Sequence, residues 1–233
     1  MKITFFKHAP LANLFPPTPS KKLVPEWYKE KEAAIETMQQ LALGSNLSVK
    51  KCIPVLDYIT SGYILQNYAD ILIKRSWDDV AGENISVDFK MPNSNSPISF
   101  HHTSQMSVIR NGHLKKIAKF NGVWGIKTPP GYSCLFYQPE YFNETRFKIF
   151  PGIVDTDQYT DPIGFPFMFE DCKTSEEYII EAGTPLVCVF PFKREDWELE
   201  IKEPEHHSRT ATLMRTIWKS AYRKFMHTKK SYK

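Results

Sequence analysis

Two aspartates stand close together in the stretch Gly152-Ile153-Val154-Asp155-Thr156-Asp157-Gln158-Tyr159, and a third, Asp161, lies two residues beyond. Carboxylates at Asp155, Asp157 and Asp161 suit two kinds of chemistry: orienting a hydroxyl-bearing ligand or a water, or holding a divalent ion through oxygen. The structural alternative is that they hydrogen-bond their own backbone in a turn. Tyr132 and Tyr159 are the aromatic residues that could wall such a site, since small β barrels mix aromatic walls with a few polar groups. Lys127 in I-K-T-P-P-G, and Lys193 and Arg194 in P-F-K-R, are cations of the kind that meet phosphate or carboxylate, or that simply close strand ends. The candidate ligand set is therefore Tyr132, Asp155, Asp157, Tyr159 and Lys127.

Other groups carry less. His101 and His102 would face opposite sides of a strand, so with Gln105 and His113 they do not converge on one ion. No partner stands at a zinc spacing, and no metal site is expected. Cys52, Cys134, Cys172 and Cys188 form no C-x-x-C pair, and Cys52 and Cys188 sit in apolar runs that predict buried, inert thiols. Neither a phosphate-cradling Gly-rich loop nor a G-x-S-x-G nucleophile motif is present, so no catalytic residue is assigned. The C-terminal stretch from Ser208 to Lys233 holds eight Lys/Arg and no acid, leaving 22 basic against 26 acidic residues in the remainder. Arg215, Lys219, Arg223 and Lys224 are its candidate nucleic-acid contacts; the alternative is a basic helix docked on an acidic body.

The elements that must position these groups are short. With 42% hydrophobic and 14% aromatic residues among 233, the chain can fill a sizeable core. Seventeen prolines against ten glycines predict many rigid turns. Ile3–Phe6 reads as a first strand, Pro10–Pro19 as an extended arm, and the run from Pro25 to Gly44 as a helix lying on the body as a strap. Lys51–Asp57 and Ser61–Arg75 read as β-rich runs, and Ser86–Lys90, Ile98–His101, Gln105–Arg110 and Lys115–Phe120 as strands. Asn111-Gly112 marks a hairpin. The stretch Val123–Trp197 supplies about five more strands, punctuated by Pro and Gly. Asp196–Lys202 alternates and reads as a last strand. Leu213, Met214, Ile217, Trp218, Ala221, Tyr222 and Phe225 recur at helical spacing, predicting a basic amphipathic helix near the C-terminus. Residues 1–49 form the arm and strap, 50–203 the body, and 204–233 the basic helix and tail.

Two resemblances follow from particular motifs. Gly152–Tyr159 resembles the G-V-I-D-x-D-Y motif of trimeric dUTPases and the related dCTP deaminases. Pro130-Gly131-Tyr132-Ser133-Cys134-Leu135-Phe136 resembles the strand before their phosphate-binding motif, and Ile180–Val189 resembles their I-x-x-G-x-R-I-A-Q-L. The resemblance covers roughly residues 123–192 and implies the β-clip fold, a distorted jelly-roll-like barrel. It gives Asp155 a sugar- and water-orienting role and places Tyr159 against the sugar. The departures are specific. Gln138-Pro139-Glu140 stands where the phosphate clamp should be, Ile163–Phe167 where the deaminase's acid should be, and Cys188 at the Gln of the last motif. A Gly-rich phosphate lid is absent as well. A second resemblance, carried by P-E-W-Y-K, K-K-C-I-P-V-L-D-Y-I-T-S-G-Y, I-V-D-T-D-Q-Y and G-F-P-F, is to uncharacterised proteins of large tailed phages, notably marine ones.

These readings predict a mainly β, β-clip or jelly-roll-like distorted barrel with a strap helix and a basic C-terminal helix. The expected function is nucleotide or small-ligand binding without intact dUTPase chemistry. The alternatives are a non-enzymatic virion or host-interaction protein, and a nucleic-acid-binding protein using the tail. Magnesium is expected only with a bound nucleotide. No segment resembles a signal peptide or a membrane span, so the expected setting is the host cytoplasm or the virion, with no membrane partner. The family resemblance allows a homo-trimer.

Overall fold

The computed structural model describes residues 1–8, 15–34, 47–78, 82–89, 96–102, 104–106, 109–110, 113–114, 116–170, 175–203 and 222–233. The strands formed by these residues are β1 (Thr4–Lys7), β2 (Thr18–Pro19), β3 (Tyr63–Gln66), β4 (Ile71–Asp78), β5 (Gly82–Phe89), β6 (Ile98–Phe100), β7 (Ile109–Arg110), β8 (His113–Leu114), β9 (Ile117–Phe120), β10 (Trp124–Lys127), β11 (Tyr132–Tyr137), β12 (Phe147–Ile149), β13 (Gly152–Val154), β14 (Phe165–Phe169), β15 (Glu176–Ile180) and β16 (Pro185–Lys193). All their pairings are antiparallel. The sheets run β13-β11-β16-β3-β2, β12-β14-β9-β6, β15-β4-β5, β1-β10 and β7-β8. Neighbours are mostly distant in sequence, as in jelly rolls. The mainly β, distorted barrel-like architecture expected from the sequence is the one observed.

The first four of these sheets close on one core. Leu65, Ile71, Ile73, Ile98, Ile126, Phe136, Ile149, Ile180 and Val189 all belong to it. Its centre is aromatic: Phe120 stacks on Phe167 at 4.1 Å between ring centroids, and Phe147 meets both edge-on at 5.1 and 5.6 Å. Each such ring buries on the order of 150–250 Å², and the three come from β9, β12 and β14. Two buried amides staple the periphery. Asn67 donates to Ile180 O at 3.1 Å and Glu181 O at 3.2 Å, tying the β3–β4 turn to the β15–β16 turn. Gln138 donates to Glu144 O and Phe147 O at 3.2 Å and accepts from Ile149 N at 2.8 Å, so its whole carboxamide shapes the loop from β11 to β12.

Four local expectations need correction. Lys51–Asp57 does not begin a strand; Ile53–Thr60 is helix α2. Pro54 sits in its first turn, where a missing N–H costs nothing. Ile53 and Ile59 reach the interior, and Gly62 follows at φ +72°, where a Cβ would lie 2.3 Å from Val189 O. The strap helix α1 is only Glu26–Glu30, because Lys31 turns extended at ψ 129° and Ala34 bridges Leu47; residues 35–46 lie outside the described residues. Asp196–Lys202 joins no sheet. Cys52 is exposed, whereas Cys134 and Cys188 are buried as free thiols. Arg110 pairs with His113 between β7 and β8, while Asn111-Gly112 lies outside the described residues. Residues 204–221, which include most of the expected basic helix, lie outside the described residues; Tyr222–Met226 is a single π-helical turn.

Candidate functional site

The loop between β10 and β11 is the structural centre of the predicted site. Pro129-Pro130-Gly131-Tyr132 is a turn with Tyr132 N donating to Pro129 O at 3.2 Å. Gly131 takes φ +81°, the left-handed value that a type II turn requires at its third position. That geometry aims the Gly131 N–H at Asp157 Oδ2, 2.8 Å away. Arg194, at the end of β16, grips the same carboxylate from the other side. Its Nη1 lies 2.9 Å from Oδ1, and its Nη2 contacts Oδ2. Lys127 Nζ donates to the Asp157 carbonyl. Asp157 is thus saturated by protein donors, and its side chain is 6% exposed. The Arg194 hydrogen bonds, helped by the Gly131 N–H and opposed by burial, hold its carboxyl down at about 2.

Asp155 differs. Its backbone carbonyl accepts from Gln158 N at 3.0 Å and Tyr159 N at 2.9 Å, which makes the tight turn after β13. Its Oδ1 accepts from the Ser133 hydroxyl at 2.6 Å and faces Arg194 Nη1 at 3.1 Å. No hydrogen bond among the described residues reaches Oδ2, and the side chain is 60% exposed. The cluster therefore holds one oriented carboxylate with an open acceptor facing solvent. Beneath it, Thr156 is wholly buried, 2.8 Å from the Thr128 hydroxyl and 3.3 Å from Cys134 Sγ. Ser133 is equally buried, so its hydroxyl is closed to a substrate.

Tyr132 lies on the other side. Adjacent strand residues project to opposite faces, so Ser133 points to Asp155 while Tyr132 lines a different, open cleft of about 370 Å³. Ile3, Tyr63, Thr128, Pro129, Pro191 and Tyr232 also line it, with the exposed Lys2, Lys230 and Ser231 at its rim. The C-terminal tail supplies one wall and is itself anchored. Asp57 on α2 binds His227 Nε2 at 3.0 Å and also takes Lys230 Nζ. Burial pushes the Asp57 carboxyl up, but Lys230 and His227 outweigh it and leave the group below its ordinary value. Tyr232 packs on Tyr63 and on Phe190, each at 6.1 Å. Burial raises the phenols of Tyr63 and Tyr232, so both stay neutral in ordinary buffers.

The sequence-derived residues are therefore divided between two faces of one loop. Lys127, Asp155 and Asp157 come together with Arg194 and Ser133; Tyr132 faces the cleft; Tyr159 is 47% exposed beside the acidic turn. Asp161 is exposed. Arg223 lines a separate groove with Lys50, Lys51 and Tyr222, and Lys224 is exposed. Arg215 and Lys219 lie outside the described residues. His101 bonds Gln105 at 3.0 Å and His102 bonds Ser104 at 2.7 Å; no metal-ligating group of three occurs among the described residues. No helix among them is long and apolar enough to cross a membrane. Sequence reasoning missed Tyr63, Lys230 and Tyr232, which no local pattern connects to Tyr132.

No protein-family profile matches the chain, and no curated protein does. Among solved structures it is similar to staphylococcal phage dUTPases. A point mutant of the phage 80alpha enzyme shares 11% identity over 88% of this chain and 91% of that one, at TM-score 0.40. A second mutant of the same enzyme shares 10% over 88% and 98%, at 0.40. A mutant dUTPase of phage phi11 of S. aureus, described as coordinating a structural Mg(II) ion, shares 11% over 88% and 99%, at 0.39.

Proposed function

We propose that this protein binds a small anionic ligand with an aromatic ring, a nucleotide being the class that fits, and does so in the Tyr132 cleft without intact dUTPase chemistry. The observation that carries this reading is the lining of that cleft. Tyr63, Tyr132 and Tyr232 offer ring faces for stacking, and Lys2 and Lys230 stand at the rim as cations for an anionic group. The volume of about 370 Å³ lies within the usual range for small-molecule sites. Asp157, Arg194 and Lys127 hold the Thr128–Tyr132 loop that forms one wall, so they position the site. Asp155 offers its open oxygen on the opposite face of the loop, as an acceptor for a hydroxyl or a water.

Access argues against attack by a side-chain nucleophile. Ser133, Thr156 and Cys134 are buried, and burial raises the Cys134 thiol to about 11, so these residues offer a bound phosphoester no exposed nucleophile. The sequence's resemblance to phage proteins supports an infected cell as the setting of such a binder. The test is calorimetric titration with a panel of ribo- and deoxynucleotides on wild type, Tyr132→Ala and Asp155→Ala. Binding by wild type that is lost in Tyr132→Ala and kept in Asp155→Ala is the expected pattern. Loss in Asp155→Ala with retention in Tyr132→Ala would move the site to the acidic turn, and no heat with any nucleotide would remove the proposal.

A further inference from the structure

A second groove, of about 280 Å³, opens at the start of α2. Lys50 and Lys51 line it from the 3-10 turn Val49–Lys51, Pro54 and Leu56 from α2, and Tyr222 and Arg223 from the π-helical turn. Both sides are fixed to α2. Ser48 caps the 3-10 turn, its Oγ accepting from Lys50 N at 3.3 Å, and the turn runs straight into the helix. The π-helical turn is closed by His227 N on Tyr222 O at 2.9 Å, and the His227 ring is tied to Asp57 of α2 at 3.0 Å. No acidic side chain lines the groove, and Asp57, the one acid of α2, is taken by His227 and Lys230. Lys50 donates to Lys29 O. Among the described residues Lys51 and Arg223 have no ion-pair partner. Pro54 has no N–H, so the positive charge here comes from side chains rather than from the helix end.

Three cations around a partly apolar floor select an anion, and the tyrosine decides which one. Tyr222 is 46% exposed. Among the described residues its ring meets only that of His227, tilted at 6.1 Å, so one face is open. A free tyrosine face set among cations takes an unstacked base, while the cations take the neighbouring phosphates. An acidic peptide would use the cations and leave the ring idle, and a duplex keeps its bases stacked inside. The volume falls just short of the ~300 Å³ at which sites begin to enclose a whole small ligand, so the groove suits one part of a longer strand. We infer that this groove binds single-stranded nucleic acid, with a base on Tyr222 and adjoining phosphates on Lys50, Lys51 and Arg223. Lys224, exposed on the same turn, extends the positive face. The inference does not rest on the reading of the Tyr132 cleft. Lys230 alone serves both places, holding the tail to Asp57 and standing at the cleft's rim.

Fluorescence anisotropy of the full chain with labelled oligothymidylate and oligouridylate of about 12 nucleotides tests this. Binding of either strand is the expected result, and comparing the two reads the preferred sugar. Three phosphate contacts predict a slope of log affinity on log salt of about −2, and Lys51→Gln with Arg223→Gln should flatten it by about 1.4. Tyr222→Ala should weaken binding roughly 5- to 150-fold, the loss of one stacked base. Tyr222→Phe, which keeps the ring, should bind as wild type does. Cys52 also lines the groove and is exposed, so saturating strand should slow its alkylation by iodoacetamide. The inference is overturned if neither strand binds at about 50 mM salt, or if the Tyr222→Ala and double variants bind like wild type. Loss of binding in Tyr132→Ala with these variants unaffected would place the strand in the other cleft. Displacement by polyglutamate at equal charge concentration would make the groove a site for acidic peptide, and that too would refute a nucleic-acid site.

Discussion

Removing Arg75 should cost this protein far more than removing any of its surface cations. Arg75 lies in the middle strand of the β15-β4-β5 sheet with its side chain 2% exposed. Glu83, diagonal to it on β5 and 7% exposed, accepts from its Nε at 2.9 Å and from Nη2. Glu176, directly opposite on β15, takes Nη1, and the Glu170 carbonyl also takes Nη2. The guanidinium lies 5.3 Å over the Phe169 ring. Burial alone would lower its pKa, but the hydrogen bonds and charge of Glu83 hold it raised. Arg75→Ala strands the buried Glu83 carboxylate, and breaking a buried pair from one side costs about 3–5 kcal/mol. For a chain of this length that is a fall in Tm of about 6–20 °C. Arg75→Met with Glu83→Leu removes both charges and should lie between neutral and about 4 kcal/mol stabilising. Urea unfolding followed by circular dichroism, run as a double-mutant cycle, measures this. Nucleotide titration well below Tm should be unchanged, since this sheet does not line the cleft. A single mutant within about 1 kcal/mol of wild type, or two additive singles, would refute the reasoning.

Two further predictions concern titration and reactivity. Because the Asp157 pKa in the folded chain is about 2 against an ordinary ~3.9, its contribution is fully present above about pH 4 and is lost as pH falls toward 2. Wild-type Tm should therefore drop more steeply over that interval than that of Asp157→Asn, which starts lower at neutral pH; parallel profiles by scanning calorimetry would contradict the clasp. Burial pushes the thiols of Cys134 and Cys188 up to about 11 and about 12, while Cys52 is exposed. Iodoacetamide at pH 7.5 should label Cys52 and spare the other two in the native state, read by peptide mass mapping; comparable labelling of Cys188 would show that β16 is not packed as described.

The β content was legible because Pro and Gly separate short apolar runs at fixed intervals, as in Tyr132–Tyr137 and Phe165–Phe169, and because both become strands with buried faces. The Asp155-to-Tyr159 turn was legible for the same reason: Asp carbonyls and side chains close turns whatever else they do. Lys51–Asp57 was misread because a short apolar run has no period of its own. Pro54 fits a first helical turn as readily as a strand start, and only the burial of Ile53 and Ile59 decides it. Asp196–Lys202 has a strand's alternation and no strand partner among the described residues, a distinction that pairing makes and sequence does not. The cleft was invisible because Tyr63, Tyr132 and Tyr232 come from three distant segments. Arg194 was visible as a cation, but its bond to Asp157 depends on the φ of Gly131 and on where β16 ends.

The residues after β11 bear on which anion contacts remain available to a ligand. Here Gln138 spends both its donor hydrogens and its acceptor on Glu144 O, Phe147 O and Ile149 N. It is 7% exposed, so it has nothing to offer a phosphate without unfastening the loop that carries Phe147 into the core. Glu140, two residues on, adds a negative charge at the same corner. Arg146, in the loop from β11 to β12, is engaged by Glu144, with bonds of 2.9 and 2.7 Å. An anion is therefore repelled at this end of β11 and has cations waiting at the other, where Lys2 and Lys230 stand at the Tyr132 rim. The same strand thus uses one end for packing and leaves the other for binding, which is why the proposed site lies beside Tyr132.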